Sequence, residues 1–132
     1  MNPELIVASM LNVAGVTALV GNRRAMGQLP QNTAFPAIVF TIVDATPMPN
    51  LNFSSGNQMA RARIQINPIA KTIGEVKSIL EAVRAAMDFK LQQVFAGKTV
   101  ISSRVELLGP IEKDDDLGVF TQSVDYMLMY YE

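Results

Sequence analysis

Residues 60–87 read ARARIQINPIAKTIGEVKSILEAVRAAM, and the change of period inside this stretch decides the fold. As far as Asn67 the residues alternate. Ala60, Ala62, Ile64 and Ile66 face one way and Arg61, Arg63, Gln65 and Asn67 the other, the two-residue period of a strand with one buried face. Pro68, which has no amide hydrogen to give to a ladder, is expected to close that strand. Thr72 and Glu75 then stand at capping-box spacing. Behind them Ile73, Val76, Leu80, Val83 and Met87 recur along one helical stripe. A one-sided strand followed at once by a one-sided helix points to a sheet with helices packed on it.

Upstream, residues 37–43 form a β-branched run opened by Pro36, apolar on both faces as an interior strand should be. Pro47 and Pro49 are expected to end it. The chain opens as a helix: Asn2 suits the N-cap, Pro3 the first turn and Glu4 the positive end of the dipole. Ile6, Met10 and Val13 keep helical spacing, Gly15 reads as a stop, and residues 17–20 add at most one further turn. Residues 23–35 are rich in Gly, Gln, Asn and Pro and read as loop.

Downstream, residues 100–108 and 119–131 read as two more strands joined by residues 109–118. Val124, Tyr126, Leu128 and Tyr130 share one face of the last. The helix that starts at Thr72 ends near Asp88 or runs on toward Gly97. The expected fold is therefore α+β: a single domain over residues 1–132, with a mostly antiparallel or mixed four-stranded sheet in the order α-β-β-α-β-β.

Composition narrows the chemistry. The chain has 132 residues, no cysteine and no histidine. Disulfides, thiolate nucleophiles and every Ser-His or Cys-His arrangement are thereby excluded, together with the commonest zinc ligand. No Walker loop, dinucleotide fingerprint or HExxH motif is present, so no catalytic, cofactor-binding or metal-ligating residue is nominated. Eleven basic against twelve acidic residues give a formal net charge of −1. That balance is wrong for a protein that grips phosphates, and suits a surface that DNA slides past. The apolar stretch over residues 5–20 is broken by Asn12 and Gly15 and lacks a basic flank, so neither a membrane span nor a signal peptide is expected. Hydrophobic residues make up 49% of the chain, a high share for a small soluble monomer and one that subunit contacts would explain.

Two groups of residues stand out as contact candidates. Arg61 and Arg63, on the polar face of their strand, suit an interface with the acidic run Asp114-Asp115-Asp116 of a neighbouring subunit. Exposed pairs of that kind contribute only about 0.2–1 kcal/mol each, so they set register more than affinity. The plainer reading of the Asp run is a solvated hairpin loop. The segment 47–57 carries Met48, Leu51 and Phe53 in a turn-rich setting, and a long loop with apolar side chains suits partner contact.

The C-terminal third carries a resemblance. Glu112-Lys113-Asp114-Asp115-Asp116-Leu117-Gly118-Val119-Phe120, then Ser123, Tyr126 and the closing Tyr130-Tyr131-Glu132, resembles the end of lambda-type bacteriophage tail terminator proteins. Phe35-Pro36-Ala37 leading into an apolar strand looks like that family's first strand, and residues 60–70 are similar in pattern. Tail completion proteins of other long-tailed phages share the element order and much the same role. The resemblance implies a non-enzymatic virion protein, assembled in the host cytoplasm as a ring, hexameric in the family. Its partners would be its own copies, the tail tube protein and the head-tail connector, with genomic DNA passing through the channel and no cofactor. A different neck component, a tube subunit or an unrelated cytoplasmic binding domain or carboxylate enzyme are the competing expectations.

Overall fold

The structure, a computed structural model, describes residues 3–48 and 58–131. Along them run α1 (Pro3–Leu11), α2 (Ala14–Val20), β1 (Arg24–Met26), β2 (Ala37–Met48), β3 (Met59–Ala70), α3 (Ile73–Met87), β4 (Lys90–Phe95), β5 (Lys98–Asp114) and β6 (Val119–Tyr131). The strands form one six-stranded sheet in the order β1-β2-β3-β6-β5-β4. Every neighbouring pair is antiparallel except β1 and β2.

β3 and β6 make the centre, and their pairing explains the core. Ala60 lies opposite Tyr130, Ala62 opposite Leu128, Ile64 opposite Tyr126 and Ile66 opposite Val124. All eight side chains are buried. At Ala60 and Ala62 a small residue faces a large one on the next strand, and at Ile64 and Ile66 apolar side chains meet, giving one continuous surface for α3 to lie on. α3 supplies Val76, Ile79, Leu80, Val83, Ala86 and Met87 to that surface, and α1 supplies Ile6, Val7, Met10 and Leu11. Burying a side chain of this size contributes about 1.5–3 kcal/mol, so this one layer dominates the stabilising side of the balance. α1 and α2 are bent 82° apart, and among the described residues no single helix is long and apolar enough to cross a membrane.

The four-stranded expectation is corrected to six strands, and the order to α-α-β-β-β-α-β-β-β. β1 arises inside a segment read as loop. It has three residues and no apolar run, and the β2 backbone holds it in parallel register, with the Ile38 amide donating to the Arg23 carbonyl and the Gly27 amide to that of Phe40. α2 forms where Gly15 was expected to stop the chain, because Val16 and Val20 bury against the core. β4 turns back after α3 ends at Met87, and it joins β5 through Ala96 and Gly97, both with positive φ. A two-residue loop with two positive φ angles is the tight hairpin geometry that matches strand twist.

The prolines also behave differently from expectation. β3 continues through Pro68 to Ala70, while its ladder with β6 lapses at Asn67 and Pro68 and resumes at Ile69. β2 continues through Pro47 to Met48; beyond Phe40 it has lost β1 as a neighbour and runs as an edge, where proline is tolerated. Gly109 and Pro110 do not end β5, which reaches Asp114 by means of three bulges, at Val100/Ser102, Val105/Leu107 and Leu108/Ile111. Each bulge inserts one residue and bends the strand.

α3 ties two of these bulges down. Asp88, just past its C-terminus, accepts the Val105 amide at 3.0 Å and the Arg84 Nε at 3.1 Å. Lys77 donates at 2.7 Å to the buried Gln122 side chain, whose amide nitrogen donates at 2.8 Å to the Gly109 carbonyl. At Gly109 the strands are so close that an added Cβ would come 2.5 Å from the Ser123 hydroxyl, which would have to turn away to make room. At the other end of α3 the capping reading holds, with the Thr72 hydroxyl accepting the Glu75 amide at 3.2 Å. Thr72→Ala is expected to lower stability by about 1 kcal/mol, read from the midpoint of urea unfolding; an unchanged midpoint would mean the cap contributes nothing.

Candidate functional site

The helices cover one face of the sheet, and the polar alternates of β3 occupy the other. There Arg61 is exposed, and Arg63, Gln65 and Asn67 are half-buried. Arg63 does not wait for a neighbouring chain. Its Nε and Nη2 reach the same Asp125 carboxylate oxygen at 2.9 and 2.8 Å, and Asp125 is buried. A carboxylate so placed needs a cation beside it. Arg61, opposite Thr46 on β2 and Met129 on β6, keeps its charge toward solvent.

The acidic run forms the turn of the β5–β6 hairpin. The Asp114 carboxylate accepts the amides of Asp116 at 3.0 Å and Leu117 at 3.3 Å, and the Gly118 amide closes the turn onto the Asp114 carbonyl at 2.8 Å. Asp114 is thus committed to the turn, with Gly118 at a φ of 66° completing it. Asp115 is 88% exposed, with Lys113 at 3.7 Å as a loose neighbour. Among the described residues no group of three or more carboxylates is arranged to hold a metal ion.

Within one chain these two charged groups lie far apart. Arg61 is level with Met129 and the turn follows Asp114, which is level with Val119. Ten residues of strand at about 3.3 Å each separate them by roughly 33 Å. Met48, half-buried opposite Met59, sits at the Arg61 end. Leu51 and Phe53 lie outside the described residues.

Two apolar features had no signal in the sequence. On β5, Leu107, Leu108 and Ile111 are exposed, because the bulges reset the alternation that would have hidden them. On and before the edge strand β4, Phe89, Leu91 and Val94 are also exposed, Phe89 at 77%. Between α3 and the β5–β6 pair lies a cleft of about 170 Å³. Its floor is Leu80, Val105, Leu108, Val124 and Tyr126, and Lys77, Glu81 and Arg84 form its rim. Burial pushes the Tyr126 phenol well above its ordinary 10.0, with the Asp88 carboxylate adding to the rise and Arg84 opposing it.

The family model for Tail completion protein gp17 matches residues 4–130. The chain belongs to that family. A comparison with curated proteins gives no match. Among solved structures, a chain in "Virion of native gene transfer agent (GTA) particle" superposes with a TM-score of 0.73 at 14% identity, covering 96% of this chain and 92% of that one. A second solved chain gives a TM-score of 0.53 at 17% identity, covering 99% of this chain and 95% of that one. At these identities the likeness shows a shared fold. Of the two related phage families, the lambda-type terminators that the C-terminal third resembles and the tail completion proteins that share their element order, the match falls on the latter and extends over residues 4–130.

Arg63→Ala strands a buried carboxylate and is expected to cost about 1.5–3 kcal/mol of stability, whereas Arg61→Ala should stay within about 0.5 kcal/mol. Urea unfolding of both variants checks this, and equal losses would contradict the different roles given to the two arginines. The raised Tyr126 pKa has a sign as well. The unfolded chain loses that proton first, so the stabilisation is complete below about pH 10 and is lost as pH rises further. The urea midpoint of Tyr126→Phe should therefore fall less between about pH 9 and pH 11 than that of the parent, and an equal fall would contradict the assignment.

Proposed function

We propose that this tail completion protein caps the head-proximal end of a phage tail tube. Copies close into a ring there, stop the tube from growing and present the surface to which the filled head attaches. The match to the tail completion family over residues 4–130 carries this reading. The fold shared with a chain of a gene transfer agent virion supports the virion setting.

Physical reasoning supplies the mechanism. An interface between two unlike surfaces, repeated by rotation, closes into a ring and then has nothing left to bind. The chain is suited to such contacts because exposed Arg61 and the acidic turn at Asp115 and Asp116 sit at different ends of one sheet. Arg61, Asp115 and Asp116 are the flank charges left for a neighbour, while Arg63 and Asp114 support them from within. The segment that follows Met48, with Leu51 and Phe53, is the proposed contact with the tube or neck. If each interface is modest, copies stay apart until the tube end gathers them. Docked side by side, they reach a high effective concentration, and the last contact closes without a further association cost. Six copies is the number that the resemblance implies. DNA would pass through the channel without sequence-specific contacts, in keeping with the near-neutral charge. Capping of this kind is a binding equilibrium and needs no catalytic residue.

The test is genetic. Phage lacking this protein are expected to make tails of abnormal length that fail to join heads, as seen by electron microscopy of lysates. Tails of normal length on infectious particles would overturn the proposal.

A further inference from the structure

We propose that the β5–β6 hairpin turn of one copy docks into the cleft between α3 and β5 of the next, with Leu117 entering the cleft. This rests on the ring reading above and names the contact that would close it.

The turn and the cleft are complementary in two independent ways. Leu117 is 62% exposed although it is flanked by acidic residues on one side and Gly118 on the other. A branched aliphatic side chain held out at a tight turn is a knob, and only its flank meets its own chain, where it edges a cavity with Leu29, Pro30 and Phe35. The cleft is the matching hole. Its volume of about 170 Å³ and its apolar floor suit one such side chain, since an apolar cavity of roughly 150 Å³ holds a benzene-sized group. Leu108 on its floor is itself exposed and would be covered by the docking.

Charge favours this knob over the exposed apolar residues beside Lys90. The cleft rim bears Lys77 and Arg84 against the single carboxylate of Glu81. Lys77 is bonded to a neutral amide, that of Gln122, so its positive charge is left to act outward. Arg84 reaches Asp88 through Nε while its side chain remains 67% exposed, which leaves the rest of the guanidinium for a second carboxylate. Asp115 and Asp116 flank Leu117 and bring two negative charges to that rim. Phe89 and Leu91, the alternative knobs, flank Lys90 and would set like charge against like.

The geometry is also of the kind that closes. The turn follows Asp114, level with Val119 on β6, whereas the cleft lies beside Val124. Five residues of strand put the two about 17 Å apart on one copy. Knob and hole are thus separate surfaces, and each copy can give one and receive one.

Because the chain has no cysteine, disulfide trapping tests the contact cleanly. Leu117 and Leu108 are both exposed, so Leu117→Cys and Leu108→Cys leave the core intact. Mild oxidation of the full-length double variant is expected to give a ladder of three or more linked chains on non-reducing gels. Each single variant should stop at dimers. Adding Asp115→Lys and Asp116→Lys to the double variant should cut the ladder yield at least tenfold. A double variant that links no further than the singles, or a yield unmoved by the charge reversal, would overturn the inference. Sedimentation of the unmodified chain, at concentrations high enough to replace the gathering effect of the tube end, separates the two levels: assembly without a ladder removes this contact and leaves the ring, and no assembly removes both.

Discussion

Everything in this fold is arranged around the β3–β6 pairing, where Ala60 and Ala62 face Tyr130 and Leu128 and Ile64 and Ile66 face Tyr126 and Val124. These side chains make one apolar surface; α3 packs on it, and α1 and α2 pack against α3. Because a strand presents its two faces alternately, the same pairing fixes what the opposite face displays. A register slip of one residue would bury Arg61 and Arg63 and expose the core. The surface chemistry is therefore a consequence of the core register.

α3 extends that control to the hairpin. It caps the sheet with its apolar stripe and reaches around with Lys77 and Asp88 to fix the bulges of β5. The bulges bend a long strand that would otherwise run straight, and they turn Leu107, Leu108 and Ile111 toward solvent. A hairpin held by half-buried hydrogen bonds presents its acidic turn at a fixed place relative to the cleft. The proposed ring closure requires this, since a flexible arm would allow chains of any curvature.

The sequence made the central elements legible because their residues answer to one strong local rule each. Alternation marked the faces of β3 and β6, and the Thr72-to-Glu75 spacing marked the start of α3. The missed elements obey rules that do not appear locally. β1 is three residues with no pattern of its own, formed because β2 offers backbone groups to pair with. β4 is short, lies at an edge and returns through positive-φ residues at Ala96 and Gly97, a turn without the usual Asn-Gly signal. Prolines at 47 and 68 were read as strand ends, and each sits where one side of the ladder is open or lapses. For the candidate site, the Asp run was legible as a turn, and Asp114 serves it directly. The partner of Arg63 was not legible, because Asp125 lies 62 residues away and only the sheet brings the two together. The apolar residues of β5 were hidden by its bulges, which break the period that sequence reading relies on.

A subunit whose unlike surfaces meet by rotation stops growing once the ring has closed, and the proposed capping rests on that property. Native mass spectrometry of the purified chain over a range of concentrations tests it most directly. The expected result is one discrete oligomer that grows at the expense of monomer, with nothing heavier. A monomer at every concentration, or a ladder of masses without an upper limit, would contradict closure.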